Sequence, residues 1–154
     1  MILIRKALSE ESINQAKVLF IEYADYLKID LSFQDFDLEL KLLPLNYTAP
    51  SGCLLLAFYN DKLAGCVGLR KLESDICEMK RLYVRPEFRR RRIGLELSKA
   101  IINKAKEIGY ESMRLDTLPF MKEAIKLYSF LGFREIAPYR FNPFDNAKFY
   151  ELKL

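Results

Sequence analysis

The chain has 154 residues, 51% of them hydrophobic and 30% charged, with a net charge of +4. That length predicts one domain over 1–154 with a single buried core. No apolar run approaches the ~20 residues of a membrane span, and no signal-peptide pattern precedes Arg5, so a cytoplasmic protein without a membrane partner is expected.

The net charge equals the four consecutive arginines at 89–92, so the basicity is local. A local cluster suits a small polyanion better than a long nucleic-acid track. Cys53, Cys66 and Cys77 lie in apolar runs and read as small core residues in a reducing cytosol. Histidine is absent altogether, which removes His-based triads and His-rich metal sites. No metal is expected, and acid–base work falls to Glu, Asp, Tyr, Cys, Lys or water.

In chain order, Ile2 to Lys6 reads as a strand. Ser9 is a good N-cap with Glu10 and Glu11 behind it, and Ile13, Ala16, Phe20, Ala24 and Leu27 recur at helical spacing to about Lys28. Ser32 with Asp35 looks like a second cap, before a short helix carrying Phe36, Leu40 and Leu43. Residues 44–52, with Pro44, Pro50 and Gly52, read as a loop. Cys53 to Tyr59 and Lys62 to Arg70 flank Asn60-Asp61, a hairpin signal. Ile76 to Val84 is the next strand. A long helix from Ile93 to Ile108 stops at Gly109. Ser112 to Asp116 is a strand, Phe120 to Leu131 a helix ended by Gly132, and Ala147 to Leu152 a last strand. The order is α+β with a mixed sheet.

Residues 78–94 carry the most information. The strand ends at Val84, a turn follows at Arg85-Pro86, then Arg89 to Arg92, then Ile93-Gly94 opening the helix. A helix N-terminus presents unpaired N–H groups and partial positive charge, and arginines add forked donors suited to phosphate. The segment reads as a cradle for a polyphosphate group.

The same segment resembles the acyl-coenzyme A-binding core of the GNAT N-acetyltransferase family. Its loop signature is Arg or Gln, two residues, Gly, one residue, then Gly or Ala. Arg89 to Gly94 occupies those places, with Arg92 where the family has Gly. Ala124, Leu127, Tyr128, Gly132 and Phe133 are similar to the family pattern A-x-x-L-Y-x-x-x-G-F. The resemblance covers roughly residues 60–154 well. It implies a mostly antiparallel, twisted mixed sheet flanked by helices.

Residue by residue, the resemblance assigns Arg89, Arg90, Arg91, Arg92, Ile93 and Gly94 to the pyrophosphate. It assigns Leu82, Tyr83 and Val84 to an exposed strand edge that pairs with the pantetheine amides. Glycine at place 92 would allow positive φ or close backbone approach, so Arg92 is expected to keep an ordinary conformation or to shift the loop. Tyr128 is the implied general acid at the departing thiolate. Glu78 is the candidate base, with a pKa raised by its apolar strand. Cys77 points to the opposite face of that strand. Met121 stands where the family often has Asn. Pro138 to Phe144 is aromatic and turn-rich and reads either as a wall of the acceptor site, with Arg140 holding a substrate carboxylate, or as a packing loop. Tyr47 is a second candidate for substrate contact.

These readings converge on an acyl-CoA-dependent N-acyltransferase. It would move acetyl from acetyl-CoA to a primary amine of a small molecule by direct attack. A non-catalytic acyl-CoA sensor on the same fold is the alternative. Nucleic-acid binding through the arginines leaves the Tyr128 pattern unexplained, so no nucleic-acid partner is expected. Monomer and homodimer both stay open.

Overall fold

The computed structural model describes residues 1–28, 35–144 and 146–154. The strands are β1 (Ile2–Lys6), β2 (Cys53–Tyr59), β3 (Lys62–Glu73), β4 (Ile76–Val84), β5 (Ser112–Thr117), β6 (Arg134–Ile136) and β7 (Lys148–Lys153). The helices are α1 (Glu10–Leu27), α2 (Phe36–Leu42), α3 (Ile93–Ile108) and α4 (Lys122–Leu131). Among the described residues the strands form one seven-stranded sheet in the order β1-β2-β3-β4-β5-β7-β6. Only β4 and β5 pair in parallel there; the other neighbours are antiparallel. The mixed, mostly antiparallel sheet expected from the sequence is therefore present.

Local chemistry explains the elements. Ser9 caps α1 through a reciprocal capping box: its Oγ accepts from the Ser12 N–H at 3.1 Å, and the Ser12 Oγ accepts from the Ser9 N–H at 2.9 Å. The second cap read at Ser32 lies outside the described residues. Asn60 and Asp61 both take positive φ, 48° and 69°, as a tight hairpin between β2 and β3 requires. Gly109 and Gly132 close α3 and α4 with φ of 108° and 100°. Two differences stand out. Strand β6, three residues long, is too short to show alternation in the sequence. Helix α4 starts at Lys122 and not Phe120, because the Met121 N–H turns back to the Leu118 carbonyl.

Both faces of the sheet are covered. Ile93, Leu97 and Ile101 of α3 pack on Leu55, Val67, Leu69 and Met113. Ala16, Leu19 and Phe20 of α1 pack on Leu54, Leu56 and Cys66 from the other side. At ~25 cal/mol per Å² of buried apolar surface, these two layers are the main source of stability.

The centre of the sheet has two irregularities. Parallel pairing of β4 with β5 covers only Ile76, Cys77 and Glu78 against Ser112, Met113 and Arg114. Beyond that point β4 stays paired with β3 and β5 with β7, but not with each other. The second irregularity is a bulge. The register of β4 on β3 shifts between Cys66↔Tyr83 and Gly68↔Lys80, and Arg81 takes φ of 59°. The bulge changes which residues face which layer: Met79 belongs with the α3 side, Tyr83 with the α1 side.

After β4, residues Pro86–Phe88 form one turn of 3-10 helix. Arg90 and Arg92 then both have φ of 64°, with Arg91 between them outside the positive-φ region. Arg92 is the N-cap of α3, and no side chain caps the helix there. The ordinary conformation expected of Arg92 is thus corrected: it adopts the left-handed one. Alternating backbone hand turns successive N–H groups toward one concavity, the geometry of an anion-binding nest.

The left-handed conformation costs a non-glycine residue ~1–2 kcal/mol, whereas glycine adds ~0.5–1 kcal/mol of chain entropy on unfolding. Arg92→Gly should therefore raise stability by up to ~1.5 kcal/mol in urea denaturation. A loss of stability would show instead that the Arg92 side chain holds the loop.

Candidate active site

Where β4 and β5 part, two adjoining clefts open. The outer one, about 530 Å³, is lined by Leu82, Val84, Arg89, Arg90, Gly94 and Leu127 among others. The inner one, about 50 Å³, is lined by Tyr23, Lys80, Asp116, Tyr128, Asn142 and Phe144 among others. Tyr23, Leu82 and Met121 belong to both, so a continuous path joins the arginine loop to Tyr128.

The outer cleft gathers most of the predicted binding residues. Leu82, Tyr83, Val84, Ile93, Arg89, Arg90 and Gly94 all line it. The Arg89 guanidinium sits 4.3 Å from the Tyr26 ring centroid and donates from Nε to the Val84 carbonyl at 3.1 Å. Its orientation is held by cation–π contact and a hydrogen bond together. Arg91 and Arg92 do not line the cleft. The Arg91 guanidinium lies over Tyr59, 4.8 Å from its centroid, and donates to the Tyr59 hydroxyl at 3.3 Å. Gly94 needs no special backbone. A Cβ there would meet Leu127 Cδ2 at 3.6 Å and Val84 Cγ2 at 3.8 Å, both ordinary contacts.

Tyr128 reaches the inner cleft from α4, its ring packed against Phe133 and Tyr150 at centroid distances of 5.6 and 6.4 Å. Burial, then the neighbouring Tyr23 and Asp116, push its phenol well above the ordinary value, so it keeps its proton. Lys80 is pulled down to about 8, first by burial and then by the Arg81 charge. Arg81 itself is held in a two-pronged ion pair with Glu39 of α2, at 3.0 Å on each prong.

Three sequence expectations are corrected here. Glu78 is fully buried, but its carboxyl is held below the usual carboxylate range, not above it. Burial alone would raise it, and the charges of Lys80, Arg70 and Arg140 with the Tyr139 hydrogen bond outweigh that. Arg140 is turned to a partner within the chain, its Nη2 paired with Glu78 Oε2, while its buried Nε has no hydrogen-bond partner among the described residues. Tyr47 lines neither cleft and is 2% exposed. It packs edge-on against Phe20, and its ring fills the space over Gly68, where a Cβ would lie 2.6 Å away. Tyr47 is a core residue because its loop folds under the sheet.

Sequence reasoning missed Lys80 and Asp116, and reached Asn142 only as part of the 138–144 stretch. The signal was available in part: Lys80 shares the face of Glu78 two residues on, and Asp116 alternates with Arg114 on β5. Asn142 donates from Nδ2 to Asp116 Oδ2 at 3.4 Å, a contact across 26 residues that no local pattern shows.

Comparison with known proteins agrees with this geometry. Residues 17–133 match the acetyltransferase (GNAT) family. An uncharacterized N-acetyltransferase of Schizosaccharomyces pombe is 38% identical over 94% of this chain and 90% of its own length. One from Dictyostelium discoideum is 34% identical over 94% and 95%. A GNAT-family acetyltransferase structure from Staphylococcus aureus superposes with a TM-score of 0.81 at 25% identity, covering 99% of both chains. A GNAT-family acetyltransferase from Elizabethkingia anophelis, solved with acetyl-CoA bound, has a TM-score of 0.71 at 24% identity, covering 99% and 98%. The chain belongs to the acetyltransferase (GNAT) family and is an N-acetyltransferase.

Proposed function

We propose that this enzyme transfers acetyl from acetyl-CoA to the primary amine of a small molecule by direct attack. The observation that carries the reading is the path from the positive-φ arginine loop, along β4 where it has parted from β5, to the Tyr128 phenol. The solved Elizabethkingia relative binds acetyl-CoA, and the residues present here fit such a ligand. The nest at Arg90–Arg92 suits a pyrophosphate. The gap beside β4, opened where its ladder with β5 ends at Glu78, leaves room for an extended chain bearing amides. The outer cleft, about 530 Å³, falls in the usual range for small-molecule sites.

When bound, the acyl donor supplies the thioester that the amine attacks. This chain's own residues do the rest. Arg89 and Arg90 orient the donor from the outer cleft, and fixed geometry accounts for much of the rate in such transfers. Asp116 is the carboxylate that lines the inner cleft among its described residues, so it holds the amine and takes its proton there. Lys80 and Arg81, also lining that cleft, disfavour an ammonium and so favour the attacking free base. Tyr128, which lines the inner cleft, gives its proton to the departing sulfur. A reducing cytosol is the proposed compartment, supported by three unpaired, buried cysteines.

Removing the cleft-lining guanidiniums should weaken donor binding. In calorimetry, Arg89→Ala with Arg90→Ala is expected to lower acetyl-CoA affinity by ~1.5–3 kcal/mol per lost charged hydrogen bond. Unchanged affinity would remove the loop from the donor site.

The reaction itself is tested with a panel of small primary amines and acetyl-CoA, following thiol release. Turnover is expected with at least one amine, and Tyr128→Phe should lower kcat by ~10²–10⁴-fold with donor affinity kept. Donor binding without any turnover would instead make the protein a sensor.

A further inference from the structure

Glu78 is buried at the last rung that joins β4 to β5, opposite Arg114. Three donors converge on its carboxylate. Arg70 Nε reaches Oε1 at 2.8 Å, while the Tyr139 hydroxyl, at 2.7 Å, and Arg140 Nη2 share Oε2. Two of these donors belong to the segment between β6 and β7, 61 and 62 residues further along the chain.

The Tyr139 ring is itself clamped. The guanidiniums of Arg114 and Arg140 lie 5.4 and 5.2 Å from its centroid, and Phe149 of β7 meets it edge-on at 5.2 Å. Arg114 is fixed in turn by Glu151, 2.7 Å from its Nε. Tyr139 therefore sits over the rung where the strands begin to part. Three residues later Asn142 reaches Asp116, and its Oδ1 accepts from the Phe144 N–H at 3.0 Å, which shapes the turn. Asn142 and Phe144 are the members of this segment that line the inner cleft.

We propose that Glu78 is a positioning residue: its carboxylate latches residues 138–144 across the divergence of β4 and β5 and so sets the wall against which the acceptor amine is selected. This rests on the inner cleft being the acceptor site. A carboxylate already held by three donors is poorly placed to take a proton from substrate. Its function is to keep two cationic partners and one phenol in a single arrangement.

The test has one substrate-free arm and one kinetic arm. Glu78→Gln removes the charge, and Tyr139→Phe removes one hydroxyl while leaving both Glu78 ion pairs, so the second variant folds even where the first does not. In hydrogen exchange of the free protein, the Phe144 amide, held by Asn142 Oδ1, should exchange ~10-fold faster in either variant, with the amides of β2 and β3 unchanged. Kinetically, KM for the amine should rise ~10-fold while KM for acetyl-CoA, kcat and the acid limb of the kcat/KM pH profile stay near wild type.

Unchanged exchange in both variants overturns the latch. Faster exchange with an unchanged amine KM overturns its part in acceptor selection. A fall of ~10²-fold in kcat with a displaced acid limb overturns positioning in favour of proton transfer by Glu78 itself. Failure of the acceptor reading is separable, because it leaves wild type without turnover on any amine while the exchange result stands.

Discussion

Two parallel strands that pair over three rungs and then part leave a gap in the middle of the sheet. That constraint organises this protein. β4 remains anchored on its β3 side and β5 on its β7 side, so neither strand is free to close the gap. Helices cannot fill it either, because α3 and α1 are committed to the two apolar layers above and below. Hydrogen-bonding groups in such a gap favour an extended ligand with alternating donors and acceptors. The rest of the site follows from its two ends: the arginine loop where β4 runs out, and Tyr128 where α4 crosses the opening.

The gap also needs a firm vertex. At Glu78 and Arg114 the last paired rung lies within a cluster of Arg70, Arg114, Arg140, Tyr139, Glu73 and Glu151. Surface ion pairs contribute little to stability, but Glu78 is fully buried and its oxygens are held by three donors. In such a place removing one partner is costly. The second buried pair, Arg81 with Glu39, fastens the β4 bulge to α2 and so ties the α1–α2 side of the sheet to the same opening.

Most of the architecture was legible in local pattern. Helical periodicity, the Ser9 cap, the Asn60-Asp61 turn and the glycines after α3 and α4 each have a short-range physical cause, and each is found in place. The place of the arginine loop, between a strand end and a helix start, was legible too. What stayed hidden depends on tertiary approach. The lowered carboxyl of Glu78 comes from Lys80 two residues away, but also from Arg70 eight away and from a segment more than sixty away. The bulge at Arg81 interrupts a run that reads as one continuous strand, and it reverses the faces of everything after it. Tyr47 sits in a Pro-rich loop, which usually means surface, yet Gly68 leaves a socket for its ring.

Gly94 raises a different kind of question. Its place in α3 would accept a methyl group at ordinary contact distances from Leu127 and Val84, and its φ is not positive. Nothing in the folded chain alone calls for glycine there. It does, however, line the outer cleft beside Arg89 and Arg90. The loop signature that this stretch resembles takes glycine or alanine at the same place, so a methyl group is compatible with the fold and with that pattern alike. Position 94 is therefore a point where the wall of the cleft can be moved by one carbon atom without disturbing the helix that carries it.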